Sequence, residues 1–169
     1  MFRLRLLLLA LVLLILSVGV RANESLYNEK TAKKLDLSKQ AIFGPQSGNF
    51  RYDARMVRAA EIAQLRARGH SISRCWRYVK SALLAAKIID SYPSTAYAKQ
   101  AGKELQSRYG FTKISVSDPF KAPVGAVLVY GGRGAGHVEI RTAYGFVSDF
   151  QSVKPSARPL IGVYIKPRA

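Results

Sequence analysis

The apolar positions of this chain follow three rhythms in turn: a continuous run, then a helical period, then an extended one. Residues 6–20 are an apolar stretch of 15 without a charge, its one polar side chain Ser17, preceded by Arg3 and Arg5. That is shorter than the ~20 residues a membrane-spanning helix needs. Val20-Arg21-Ala22 follows with the residue types a signal peptidase expects around its cut. Residues 1–22 therefore read as a signal peptide, touching a membrane only through this segment if it stays uncleaved. A polar lead-in, 23–50, is broken by Gly44-Pro45 and Ser47-Gly48. The folded domain is expected over 51–169.

Helical spacing begins after Asp53, a plausible N-cap, with Met56, Val57, Ala60, Ile62, Ala63 and Leu65, and closes at Gly69. Ser71 or Ser73 caps a second predicted helix with Trp76, Val79, Leu83, Ala86 and Ile89 on its apolar side, ending near Asp90. A third runs from Thr95 to Tyr109, with Gly110 as its C-cap. Beyond it the period turns extended. Strands are predicted over 111–116, 124–130, 137–142, 146–150 and 161–165. Helices first and consecutive strands afterwards predict an α+β fold, N-terminal helices packed on a C-terminal antiparallel sheet.

The turn Gly-Gly-Arg-Gly-Ala-Gly at 131–136 lies between two strands and lacks the Gly-Lys-Ser/Thr ending of a phosphate loop. It reads as a tight strand connection rather than a nucleotide cradle. Composition adds a partner class. The chain carries +17, and removing the three arginines of 1–22 leaves +14. For an exported protein in the periplasm, cell envelope or extracellular space, the matching partner is peptidoglycan or another anionic envelope polymer. No base-reading motif points to specific nucleic-acid binding. One cysteine and two histidines without paired spacing make a poor metal set, and no cofactor motif is present.

Cys75 is the only cysteine, so an exported chain offers it no internal disulfide. It falls in the first turn of the second predicted helix, where unpaired N–H groups favour a thiolate and offer an oxyanion donor. Arg74 and Arg77 add positive charge. Of the two histidines, His70 reads as a turn residue. His137 opens a strand on which Glu139 and Arg141 share its face while Val138 and Ile140 take the other. Two carboxylates compete to orient that imidazole: Asp149, on the next predicted strand, and Glu139, two residues along the same one. Trp76, Tyr78, Tyr130 and Tyr144 read as core or boundary residues, with lining a substrate groove as the alternative.

The order of a helix-start cysteine, Pro-Val-Gly-Ala-Val-Leu-Val-Tyr, Gly-Ala-Gly-His-Val-Glu-Ile and Gly-Phe-Val-Ser-Asp-Phe resembles the papain-like cell-wall cysteine peptidases of the NlpC type and their CHAP-domain relatives. The cysteine-to-histidine spacing here is 62 residues, and Cys-Trp-Arg-Tyr-Val is nearer the CHAP pattern. The resemblance implies a papain-like cysteine hydrolase domain over 51–169, with Cys75 as nucleophile, His137 as base and Asp149 as orienter. The expected activity is cleavage of peptidoglycan amide bonds, as endopeptidase or amidase, through a thioester. A catalytically silent cationic envelope-binding domain and a secreted effector acting on another amide are the alternatives.

Overall fold

The computed structural model describes residues 50–168; the expected signal peptide and the lead-in up to residue 49 lie outside them. The described chain runs helices first, α1 (Arg55–Arg66), α2 (Cys75–Ala85) and α3 (Ala101–Tyr109), with a 3-10 turn Ala98–Gln100 before α3. Strands follow: β1 (Thr112–Ile114), β2 (Val127–Tyr130), β3 (His137–Thr142), β4 (Gly145–Val147), β5 (Gln151–Ser152) and β6 (Leu160–Ile165). They form one antiparallel sheet in the order β1-β6-β2-β3-β4-β5. The α+β arrangement is the one the change of period predicts.

The helices differ from their predicted limits for local reasons. The N-cap of α1 is Ala54 rather than Asp53, which sits one residue earlier with its Oδ1 accepting from Arg55 N at 2.9 Å, and the helix stops at Arg66. At the end of α2, Lys87 turns left-handed at φ +57 and Ile88 N bonds back to Leu83 O, closing the helix before Asp90. α3 starts late because Glu104 takes the backbone N–H groups of Ser94 and Thr95, holding that stretch extended. Gly110 is the left-handed C-cap at φ +67, as predicted.

Met56, Ala59, Ala60 and Ala63 of α1 and Trp76, Val79, Ala82 and Leu83 of α2 are buried. Their alanines let the two helices approach each other and β3 closely, where Val138 and Ile140 are fully buried. Each such aliphatic side chain contributes about 1.5–3 kcal/mol by leaving water. Gly125 fixes where α1 meets the sheet. Its φ is +90, and a Cβ there would lie 2.5 Å from the Met56 carbonyl carbon. The packing sets the first residue of α2 beside the first residue of β3.

Candidate active site

The segment leading into α2 folds as a tight turn. Ser73 N bonds Ser71 Oγ at 3.3 Å, and Ser73 itself sits left-handed at φ +59, a conformation non-glycine residues adopt only when their surroundings fix it. What fixes it is a carboxylate from far along the chain. Asp149 Oδ2 accepts from Ile72 N at 2.7 Å, Arg74 N at 3.0 Å and Ser71 Oγ at 3.3 Å, while Oδ1 accepts from Ser148 Oγ at 3.1 Å. Neither Ser71 nor Ser73 caps α2; its N-cap is Arg74, with no side-chain cap. Asp149 is 0% exposed. Burial opposes its charge, but the N–H groups of Arg74 and Ile72 outweigh that and hold the carboxyl below its usual range.

Asp149 is therefore not the group on the imidazole. The pairing Ile140↔Val147 sets Asp149 level with Val138 rather than His137, and its oxygens are engaged at the entrance to α2. Glu139 takes the place expected for Asp149: its Oε2 lies 3.3 Å from His137 Nε2. Spacing along one strand face, ~7 Å between alternate residues, suggested a gap too wide, yet the long glutamate side chain closes it. Glu139 is itself held, accepting on Oε1 from Tyr130 Oη at 2.6 Å and Ser156 N at 3.3 Å. Tyr130 pairs with His137 across the β2–β3 register, so the phenol reaches the carboxylate diagonally. Burial, then the Glu139 charge and hydrogen bond, raise the Tyr130 pKa and keep the phenol a donor. Strand alternation alone carried the signal for Glu139, a carboxylate in a strand with both faces covered.

The structure brings Cys75 and His137 together. Cys75 is half-buried at the first position of α2, and its sulfur is close enough to bear on the imidazole proton. Burial disfavours the charged ring, but the hydrogen bonds it donates to Cys75 and Glu139, and their charges, outweigh it, and the His137 pKa is pushed up to about 9. With Nε2 on Glu139, Nδ1 is the nitrogen left for the sulfur. His70 is exposed, in the turn where the sequence placed it. Trp76 and Tyr130 are buried, and Trp76 Nε1 donates to Thr95 O at 3.1 Å. Tyr144 is 59% exposed, and Tyr78 lines a cleft beside α2. The 131–136 turn joins β2 to β3 with Gly132, Gly134 and Gly136 at positive φ, as its composition predicted.

The raised His137 pKa has a stability consequence. An unfolded histidine titrates near ~6.5, so the folded state binds the extra proton between that pH and about 9. The contribution is complete below ~6.5 and lost as pH rises through about 9. Urea unfolding at pH 6 and pH 9.5 is expected to show wild type losing stability across that window. His137→Gln should be nearly flat there; equal slopes for the two proteins would refute the assignment.

No family model matches this sequence, and no curated protein matches it. Among solved structures, the chain is similar to one in the type VI native effector–immunity complex Tae3–Tai3 from Ralstonia pickettii. The TM-score is 0.55 at 23% identity, covering 67% of this chain and 98% of that one. A chain of the selenomethionine form of that complex matches with TM-score 0.46 and 26% identity, over 56% of this chain and 80% of that one. The fold is papain-like. Helix-start cysteine and strand-start histidine sit where that fold joins its helical and sheet layers.

Proposed function

We propose that this protein is an exported thiol hydrolase cleaving amide bonds in peptidoglycan, with Cys75 as nucleophile, His137 as acid and base, and Glu139 orienting the imidazole. The observation that carries this is the meeting of Cys75 and His137 at the start of α2. A protonated imidazole against the sulfur, at the positive end of a helix, is the setting that thiolate attack requires. The sulfur bonds to the amide carbon, and the resulting oxyanion faces the backbone N–H groups at the head of α2. As the C–N bond breaks, the amine leaves with the proton from His137, giving a thioester. Water then attacks that thioester, His137 taking its proton, and the carboxylate product departs as the thiolate is restored. Asp149 acts one step back, holding the turn that presents Cys75.

The likeness to a chain from a type VI effector–immunity complex favours the effector form of this reading, a hydrolase delivered to the envelope of another cell. The signal-like segment at 1–22 supports export into the producer's own envelope. The chemistry is common to both. Purified sacculi should be incubated with the protein before and after alkylation of Cys75 by iodoacetamide, and the released fragments read by mass spectrometry. Fragments with one new amine and one new carboxylate are expected from the untreated protein only. Undiminished release by the alkylated protein would sink the proposal.

A further inference from the structure

The strongest unassigned feature is a cleft of about 590 Å³ beside α2, lined by Arg74, the residue before Cys75. One wall is a side of α2 and its lead-in: Arg74, Arg77 and Tyr78 follow at helical spacing from the residue before the nucleophile. The other wall is the end of α1, with Arg66 and Arg68. The walls are tied together. Arg68 Nε donates to Tyr78 Oη at 3.0 Å, and Arg66 Nη1 reaches Ser81 O at 3.5 Å. Each of these guanidinium groups retains further N–H donors.

No acidic residue lines the cleft among the described residues, and the described ion pairs, Arg55–Asp53 and His137–Glu139, lie elsewhere. Four exposed arginines thus share one cleft without a carboxylate of their own. Guanidinium presents paired, parallel N–H donors that match a carboxylate's two oxygens. The lining is not purely cationic. Ile72 is 37% exposed within it, and the Tyr78 ring and arginine stems supply apolar surface. That mixture suits a peptide bearing carboxylates better than a bare phosphodiester chain. Arg74 is adjacent to Cys75, so ~3.8 Å separates their Cα atoms.

We propose that the Arg66–Arg68–Arg74–Arg77 cleft is the subsite for a free carboxylate of the peptide being cleaved, selecting acidic peptides and setting their direction across Cys75. This rests on the hydrolase reading above, and the test separates the two. Soluble peptide fragments of purified sacculi are prepared with carboxylates free or converted to carboxamides by carbodiimide coupling to ammonia. Binding of each is measured to the Cys75→Ala protein and, as a second inactive form, to alkylated wild type. Free-carboxylate fragments are expected to bind at least ~10-fold tighter, with the difference shrinking as salt rises. The paired variants Arg66→Gln/Arg68→Gln and Arg74→Gln/Arg77→Gln, their folding checked by circular dichroism, are expected to lose most of that discrimination.

Equal affinity for the two fragment sets, or full discrimination surviving in both variants, would overturn the subsite. So would displacement of the fragments by a glycerol-phosphate polymer when amidation has no effect. Discrimination in binding without cleavage by wild type would leave the subsite standing and remove the hydrolase reading. Equal cleavage and equal binding of free and amidated fragments would do the reverse.

Discussion

Cys75→Ala is expected to slow fragment release from sacculi by at least ~10³-fold, and His137→Ala to fall within about tenfold of it. In the proposed mechanism the thiol and imidazole act as one unit, so removing either ends covalent attack, and the double variant should be no worse than the worse single one. Glu139→Gln keeps a hydrogen-bonding side chain beside Nε2 but removes the carboxylate that helps hold the ring charged. Its loss should be smaller, and should appear in kcat more than in KM. Initial rates of fragment release with melting curves on each protein separate chemistry from folding. A His137→Ala protein that melts like wild type and hydrolyses at the wild-type rate would remove the imidazole from the mechanism.

The second large effect belongs to Asp149. Asp149→Ala leaves the Ile72 and Arg74 amides and the Ser71 and Ser148 hydroxyls without their acceptor, at a carboxylate position that is itself buried. Loss of these bonds costs about 1–3 kcal/mol, a fall in melting temperature of several degrees. The wild-type pH dependence runs in the acidic direction. Asp149 has a lowered folded pKa, so its contribution is present above the unfolded value near ~3.9 and lost as pH falls through the folded one. Asp149→Ala should therefore flatten the acid limb of the stability curve while leaving the pH 6–9.5 limb intact. An unchanged acid limb would show that this carboxylate is not what holds the turn before α2.

Much of the architecture was legible because it rests on short-range pattern. Met56 to Ala63 and Trp76 to Leu83 recur at helical spacing, and Gly110 supplies the left-handed residue an α-helix end favours. The glycines of 131–136 mark the β2–β3 connection, which delivers His137 to the start of a strand. What escaped the sequence depends on register and on distant acceptors. A two-residue change in where Phe146 and Val147 pair would have placed Asp149 opposite a different residue, and strand propensity does not encode that offset. Glu139 was visible as a neighbour of His137, but its Tyr130 and Ser156 partners come from elsewhere in the chain. Lys87 closing α2 and Glu104 delaying α3 are likewise events that propensity does not encode, since lysine and glutamate both favour helix.

The contact between Ser71 and Asp149 spans 78 positions of sequence, and α2, α3 and β1 to β4 lie within that loop. A short fragment covering α2 would contain the cysteine but none of the acceptors that shape the turn ahead of it. The setting of the thiol is thus a late, long-range product of folding. That turn forms only together with the sheet, so a partly folded chain carries the cysteine without the backbone that presents it.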